Sequence, residues 1–356
     1  MSDADGITNG ITNGITNGAS NGITNGSSNG ITMADLEAAR EVVRRRVPPT
    51  PQYRWPLLAE EVGAAEVWVK HENHTPTGAF KVRGGLVYVD RLVRERPHVR
   101  GLVSATRGNH GQSIALAGTA AGLPVTIVVP HGNSPDKNAA MRAWGAELVE
   151  HGHDFQAARE HAQQLADERG LEMVPSFHDD LVRGVASYAL ELFEGVTAAG
   201  SELDAVYVPV GLGSGICGLI AARDLLGLRT EIVGVVAERA NATALSFAAG
   251  EAVSTESADT FIDGVACRVP DPEAIRRIVA GAARIVEVSE DEGAEAIRVL
   301  LRTTHNLVEP AGAVATAGLL RERDRQQGRR VATIMCGGNL DAHLLVDVLA
   351  GRTPQV

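Results

Sequence analysis

The feature that most constrains the fold is a regular alternation of short apolar runs with longer helical patterns. Runs typical of strands lie at 65–70, 101–105, 125–129, 147–150, 205–210, 231–237, 284–288 and 331–335. Helical spacing occurs at 34–46, 109–121, 134–144, 154–168 and 183–197. This alternation predicts an α/β protein built of βαβ units, with mostly parallel sheets flanked by helices. Because ligands bind beyond the carboxyl ends of such strands, the residues that follow each strand are the candidates for function.

Composition argues against several functional classes. The 356 residues carry a net charge of -11, which disfavours nucleic acid or an anionic membrane surface as the main partner. Cys217, Cys267 and Cys336 are far apart, so the sequence predicts neither a zinc site nor disulfides and favours a reducing cytoplasm. No apolar run is long enough for a transmembrane helix, and the N-terminus lacks the features of a secretory signal.

Residues 1–32 form a low-complexity segment. The tetrad Ile-Thr-Asn-Gly begins at positions 7, 11, 15 and 23. Glycine recurs every fourth residue and a repeat this short cannot build a hydrophobic layer, so the sequence predicts a disordered tail.

Lys81 is the first candidate for chemistry. The run 65–70 leads into a loop rich in Thr, Pro and Gly, which ends at this lysine, and a helical pattern follows. The electropositive start of a helix lowers the pKa of a lysine and leaves more neutral amine to act as a nucleophile. The alternative interpretation is an ordinary surface lysine on a βα loop.

Two further strand-to-helix turns carry polar or glycine-rich motifs. The segment 104–112 includes Asn109, and backbone N–H groups at such a helix start can bind a carboxylate; the alternative is a simple capping turn. The segment 210–218 has glycines that let the backbone close around a phosphate. It also contains the dinucleotide pattern G-x-G-x-x-G at Gly213, Gly215 and Gly218, with Glu238 near the position of a ribose-binding acid. A dinucleotide-binding protein is therefore a competing interpretation.

The last motif, 335–340, places Cys336 after the final strand-like run. A small polar residue there can hydrogen-bond a ring nitrogen, whereas the alternative is a buried thiol before a tight turn.

Together these motifs resemble the fold-type II pyridoxal-phosphate (PLP) enzymes, and most of all the serine/threonine dehydratases (ammonia-lyases) and serine racemase. The resemblance covers about residues 40–350 and rests on five segments, at 77–85, 108–112, 211–214, 308–313 and 336–339. It implies a two-domain fold like that of the tryptophan synthase β subunit, with PLP between the domains. The large domain is expected at 33–100 and 180–356, and the small domain at 101–179. Relatives are commonly homo-oligomers, so a dimer or tetramer is expected.

The resemblance also implies roles for individual residues. Lys81 is expected to bind PLP covalently and then to move the α-proton of the substrate. Phe80 packs against the cofactor ring, Asn109 bonds the 3-hydroxyl oxygen and Cys336 faces the ring nitrogen. The phosphate cradle is Gly211, Leu212, Gly213 and Ser214. The turn expected to hold the amino-acid substrate contains Thr106, Arg107, Gly108 and His110.

A thiol opposite the ring nitrogen favours one class of reaction. Cys336 is a weak partner compared with a carboxylate, so the ring is expected to stay unprotonated and to be a weaker electron sink. That favours rapid loss of a β-leaving group. The expected activity is a PLP-dependent dehydratase that converts a threonine- or serine-like β-hydroxy amino acid to a 2-oxo acid and ammonia. Too few residues follow position 350 for a regulatory C-terminal domain, so control through such a domain is not expected.

Arg107 is the most informative departure from the family pattern. Racemases have a serine here that acts on the opposite face of the substrate, and an arginine, with its very high pKa, is a poor replacement. Racemization or β-replacement is therefore kept only as an alternative. Arg107 instead suggests a charge-assisted contact with a bulkier or acidic substrate, such as phenylserine or threo-3-hydroxyaspartate. The competing interpretation is that Arg107 pairs with an acid outside the pocket.

The remaining departures are smaller. Ala79 replaces a Ser or Thr, and the phosphate loop must tolerate a Cβ at Leu212 and Ser214. Some relatives bind a cation near the position of Glu238, but their second acid corresponds to Ala244, so no metal is predicted. The segment 263–266 is either a pocket wall or an ordinary turn.

Overall fold

A computed structural model of the chain describes residues 27–355, which contain two separate mainly parallel sheets. The larger sheet has six strands, of which only the edge strand at Gln52–Arg54 runs antiparallel. Numbered along the chain and given in spatial order, these strands are β11 (Arg284–Val288), β10 (Glu231–Ala237), β9 (Ala205–Pro209), β12 (Arg330–Met335), β4 (Glu66–His71) and β3 (Gln52–Arg54). The predicted α/β class with mostly parallel sheets is confirmed.

The smaller sheet has four strands, all parallel. In spatial order they are β7 (Glu147–Glu150), β6 (Val125–Val129), β5 (Leu102–Ala105) and β8 (Glu172–Met173). The apolar runs at 125–129 and 147–150 coincide with β6 and β7, because their Val, Ile and Leu residues suit strands between helices.

Helices connect the strands and cover the sheets. They are α1 (Met33–Arg44), α2 (Pro56–Val62), α3 (Lys81–Glu95), α4 (Asn109–Ala120), α5 (Pro135–Ala143), α6 (Phe155–Arg169), α7 (Asp179–Ala198), α8 (Ser214–Leu225), α9 (Ala242–Ala249), α10 (Pro272–Gly281), α11 (Glu290–Thr304), α12 (Pro310–Arg321) and α13 (Ala342–Leu349). Four of the five helical patterns lie within two residues of a helix, namely α1, α4, α5 and α6. Helix α7 begins four residues before the predicted start at 183, because the His178 side chain accepts a hydrogen bond from the Asp180 N–H at 3.1 Å and caps it.

The core of the four-stranded sheet extends beyond residues 101–179. Val82 and Val89 of α3 are buried in one cluster with Leu102, Ile114 and Ile127. Helix α3, which starts at the candidate lysine, therefore shares the core of the smaller sheet although it precedes that sheet in sequence, and it packs against α4 and α7. The division of the chain into domains at 101 and 179 stays a prediction.

The predicted disordered tail is wrong for residues 27–32. These residues form a hairpin of β1 (Ser27–Ser28) and β2 (Ile31–Thr32). Ile31 is 1% exposed in the main core, and the Ser28 hydroxyl donates to Asp224 at 3.0 Å. Burial of one large apolar side chain and the Thr32 cap of α1 hold a segment that composition assigns to the tail. The rest of the predicted tail, residues 1–26, lies outside the described residues.

Across residues 27–355, no helix is both long enough and apolar enough to span a membrane.

Candidate active site

The loop that carries Lys81 is fastened to the turn after β12. The Phe80 N–H donates to the carbonyl oxygen of Cys336 at 2.9 Å, and Lys81 then begins α3. Gly78 has a φ of 68°, and a Cβ there would lie 2.5 Å from the Asn339 side-chain oxygen. Only glycine fits this left-handed, crowded position without strain. The loop geometry thus fixes the position of Lys81 at the start of α3.

The Lys81 amine lies in a setting that favours its neutral form. Its Nζ is 4.9 Å from the centre of the Phe80 ring, and burial lowers the pKa of Lys81, although Cys336 and Glu309 partly oppose this. A lysine with a lowered pKa is a better nucleophile and proton acceptor. The sequence-based interpretation of Lys81 as a reactive amine is consistent with this geometry.

A small cavity adjoins the lysine. It joins segments that are far apart in the chain, including the loops after β9 and β12. Of the predicted cofactor positions, all except Asn109 line it: Phe80, Lys81, Gly211, Leu212, Gly213, Ser214 and Cys336. Gly264 and Val265 also line it, which places the 263–266 segment in the pocket wall.

The loop at 211–214 has the shape of an anion cradle at the start of α8. Gly213 has a φ of 101°, and a Cβ on Gly211 would lie 2.9 Å from the Gly264 carbonyl oxygen, so both positions require glycine. Leu212 and Ser214 do not have positive φ angles, which is why their Cβ atoms are tolerated. Exposed backbone N–H groups at a helix N-terminus bind phosphate, and this loop therefore fits the phosphate of PLP.

Cys336 presents a neutral thiol to the same cavity. Burial raises the pKa of Cys336 well above its ordinary value, and Glu309 adds to the rise. A neutral thiol is only a weak hydrogen-bond donor, as expected for a weak partner of a ring nitrogen.

The turn after β5 brings His110 close to Lys81 from another side. A second, smaller cavity is lined by both residues together with Ser176 and Ser214. Burial, reinforced by Lys81, lowers the pKa of His110 to about 3, and its Nε2 is buried without a hydrogen-bond partner within residues 27–355. His110 is therefore neutral and has a polar atom free for a ligand.

Thr106 and Gly108 shape this turn. The buried Thr106 hydroxyl accepts a hydrogen bond from the Gly108 N–H at 3.0 Å. A Cβ on Gly108 would lie 2.8 Å from Cδ of Lys137, whose amine pairs with Asp263. Glycine is thus needed for the Lys137 side chain to pass beneath the turn.

Arg107 lines neither of the two cavities. Its side chain is exposed, and within residues 27–355 it makes no ion pair. The predicted pairing of Arg107 with an acid outside the pocket is therefore absent from this part of the chain. Its predicted contact with substrate stays a prediction.

Three polar residues near the site were not among the predicted site residues, namely Glu309, Asn339 and Tyr188. Asn109, which lines neither cavity, donates to Glu309 at 2.7 Å and accepts from Asn339 at 2.7 Å. Tyr188 packs edge-on against Phe80 with ring centres 6.1 Å apart. Sequence signals existed for Glu309 and Asn339, because these residues lie in the segments 308–313 and 336–339 that carry the family resemblance. Tyr188 became visible only through tertiary packing.

Comparison with known proteins assigns the family. Residues 43–337 match the family described as "Pyridoxal-phosphate dependent enzyme". The chain belongs to this family, and it is a PLP-dependent enzyme. The resemblance inferred from the five motifs and the predicted cofactor are thereby confirmed.

The relatives within this family include ammonia-lyases. The chain is 32% identical to the L-threonine ammonia-lyase of Thermotoga maritima, over 88% of this chain and 77% of that protein. It is 30% identical to the L-threo-3-hydroxyaspartate ammonia-lyase of Saccharomyces cerevisiae, over 90% of this chain and 97% of that protein. The processed threonine deaminase isoform 2 of Solanum lycopersicum superposes with a TM-score of 0.83 at 28% identity, covering 90% of this chain and 92% of that one.

Proposed function

We propose that this protein is a PLP-dependent ammonia-lyase that converts a threonine- or serine-like β-hydroxy amino acid to a 2-oxo acid and ammonia. One observation carries the proposal: a single cavity joins the Lys81 amine, a glycine-rich anion cradle and the neutral Cys336 thiol. The threonine and hydroxyaspartate ammonia-lyases among the relatives support this class of reaction. The same family match favours the phosphate of PLP over a dinucleotide at Gly213, Gly215 and Gly218.

The residues of the site suit the proton and charge movements of an elimination. PLP, when bound, supplies the electron sink that makes the α-proton of an amino acid removable. The Lys81 amine accepts that proton, because burial keeps part of it neutral. The turn from Thr106 to His110, which opens α4, offers backbone N–H groups to the substrate carboxylate. Loss of the β-hydroxyl as water and hydrolysis of the remaining C–N bond give the 2-oxo acid and ammonia.

Covalent trapping tests this assignment directly. Lys70, Lys81 and Lys137 are the only lysines in the sequence. Lys70 is ion-paired with Glu191 and Lys137 with Asp263, which leaves Lys81 as the reactive amine. Borohydride reduction of the holoenzyme followed by peptide mass mapping should place PLP on Lys81.

Replacing Lys81 by Ala should remove the visible absorbance of lysine-bound PLP and reduce 2-oxo acid release by at least about a thousandfold. Label found on Lys70 or Lys137, or normal turnover by Lys81→Ala, would reject the proposal.

A narrower alternative concerns the substrate. Arg107 is exposed and unpaired within residues 27–355, and the yeast relative is named for an acidic substrate. If Arg107 contacts a β-carboxylate, Arg107→Ala should lower kcat/KM for threo-3-hydroxyaspartate by about tenfold or more and leave threonine almost unchanged. Arg169→Ala, which removes an exposed arginine of α6, is the matched control. Equal effects on both substrates would show that Arg107 does not select the substrate.

Racemization and β-replacement are distinguished by their products. Incubation of a single enantiomer of serine should yield pyruvate and ammonia, with little of the opposite enantiomer. Accumulation of that enantiomer would favour a racemase, and consumption only with an added nucleophile would favour β-replacement.

We further propose a cytoplasmic homo-oligomer, either a dimer or a tetramer, that acts on a small molecule and not on nucleic acid. The support is the family resemblance and the acidic net charge of -11. Sedimentation equilibrium of the purified holoenzyme tests the oligomeric state, and a monomer at micromolar concentration would contradict it.

A further inference from the structure

The side-chain amide of Asn109 is held at both ends by other side chains. Its Nδ2 donates to Oε1 of Glu309 at 2.7 Å, and its Oδ1 accepts from Nδ2 of Asn339 at 2.7 Å. The same Asn339 Nδ2 also donates to the carbonyl oxygen of Thr77 at 2.9 Å. A continuous chain of hydrogen bonds therefore runs from the loop before Lys81, through Asn339 and Asn109, to Glu309.

These hydrogen bonds determine which end of each side-chain amide is the nitrogen. The Thr77 carbonyl can only accept, so the Asn339 atom that faces it must be the NH₂ group. That NH₂ group also faces Asn109, which must therefore present its oxygen. The nitrogen of Asn109 then points to Glu309, whose carboxylate accepts. An NH₂ group has two protons, so one Nδ2 proton of Asn109 remains after the bond to Glu309 is made.

Glu309 is held in place by features that serve no obvious purpose in folding alone. It is 1% exposed, and its backbone N–H donates to the Gly337 carbonyl at 3.1 Å. A Cβ on Gly337 would collide with its Oε1, so the chain has glycine where this carboxyl needs room. The side chain does not cap α12, although Glu309 is the residue before that helix. Burying a carboxyl is costly, which argues for a function of its contact with Asn109.

We propose that Glu309 is a positioning residue of the PLP site, which acts with Asn339 to orient the Asn109 amide so that one Nδ2 proton is offered to an acceptor oxygen of the cofactor. The inference rests on the proposed function, since it assumes that PLP binds beside Asn109. Glu309 itself acts only through Asn109.

The carboxyl can play this role in either protonation state. Burial raises the pKa of Glu309 to about 7, and Asp263 adds to the rise whereas Lys137, Asn109 and Lys81 oppose it. Both the carboxylate and the neutral acid keep an oxygen that accepts from Asn109. Orientation, and not charge, is therefore the property to test.

Three substitutions separate orientation from charge. Glu309→Ala removes the acceptor, so that the Asn109 amide is held only at its oxygen end, by Asn339. Glu309→Gln removes the charge but keeps an acceptor oxygen and the volume. Asn339→Asp replaces the NH₂ group by an acceptor, which repels the Asn109 oxygen and the Thr77 carbonyl. Glu287→Ala is the matched control, because Asn241 donates to Glu287 at 2.9 Å in the same kind of pair outside this hydrogen-bond chain.

The readouts are the visible absorbance spectrum of the holoenzyme, its change with pH, and the dissociation constant of PLP. We expect Glu309→Ala and Asn339→Asp to shift the spectrum and to weaken PLP binding roughly tenfold, the scale of one lost hydrogen bond. Glu309→Gln should stay within about threefold of the wild type, and Glu287→Ala should match it.

The outcomes distinguish this inference from the proposed function. If the wild type carries PLP on Lys81 but Glu309→Ala keeps the wild-type spectrum and affinity, the inference is wrong and the proposed function stands. Equal losses in Glu309→Gln and Glu309→Ala would also overturn it, since only one of them lacks the acceptor. If Glu309→Ala does not fold, Asn339→Asp decides alone, because it keeps the size of the side chain.

Discussion

Two groups of buried ionizable residues lie on either side of the start of α3, and they differ in pairing. Beneath the helix, Arg83 donates to Glu72 at 2.7 Å and to Glu191 at 2.9 Å, and Lys70 donates to the same Glu191 at 2.7 Å. Two cations thus face two anions, with every charged group paired. Burial works against the charge on Arg83, but Glu72 and Glu191 hold its pKa above the ordinary value.

The group at the Lys81 site makes no such ion pairs with other residues of 27–355. Burial lowers the pKa of Lys81 and that of His110, and raises that of Glu309 and that of Cys336. All four shifts favour the neutral form. Glu309, with a pKa near 7, can give or take a proton near neutral pH, whereas His110 and Cys336 present neutral hydrogen-bonding groups. Arg83 lies only two residues after Lys81 on the same helix. The two groups therefore differ in ion pairing, which makes one of them a charged scaffold, although burial also lowers the pKa of Lys70 within it.

Breaking the paired group should have the largest effect on stability. Arg83→Met leaves Glu72 and Glu191 facing one another in the core, with only Lys70 nearby. Loss of one partner from a buried ion pair costs about 3–5 kcal/mol, so we expect the free energy of unfolding to fall by that amount. Chemical denaturation of the purified variant measures the change.

The control for this substitution is Arg94→Ala, which removes an exposed ion pair with Asp90 on the same helix. Such surface pairs contribute about 0–1 kcal/mol. If the two variants lost similar amounts, the buried network would not be the scaffold that its pairing indicates.

The unpaired group should instead make the free energy of unfolding depend on pH. Burial holds the pKa of Glu309 near 7, above its ordinary value of 4.5. Between these two pH values the folded protein binds more protons than the unfolded chain, so the free energy of unfolding should fall as pH rises through this window. The loss should be on the order of 1–3 kcal/mol, and Glu309→Gln should remove most of it.

Denaturation of PLP-free protein at several pH values tests this prediction, because bound cofactor would add its own stabilisation. Glu287→Gln serves as the control, since that carboxylate belongs to a pair elsewhere. A pH dependence in Glu309→Gln that equals that of the wild type would place the titrating group elsewhere.

The sequence predicts one of these two groups much better than the other. Lys81, the 211–214 loop and Cys336 each follow a strand, and the ends of parallel strands meet at one edge, so local patterns suffice to bring them together. The paired network cannot be predicted in this way. Lys70 lies within the strand-like run 65–70 and Glu72 just after it, and Arg83 and Glu191 look like ordinary charges on helices. Their pairing depends on how α3 packs against α7. The residue pattern within a single helix or strand does not specify this packing.

Tyr188 tests whether the two groups act independently, and its effect should be the smallest. The buried ring touches the site through Phe80, and its hydroxyl donates to the Gly215 carbonyl at 3.3 Å. Burial raises the pKa of Tyr188 well above the ordinary value, with Glu72 of the paired network adding to the rise. Tyr188→Phe removes only the hydroxyl, so we expect the free energy of unfolding to fall by about 1 kcal/mol or less. The dissociation constant of PLP should be unchanged, because the edge-on ring contact survives. A weaker affinity for PLP would instead show that the scaffold and the site are coupled through this residue.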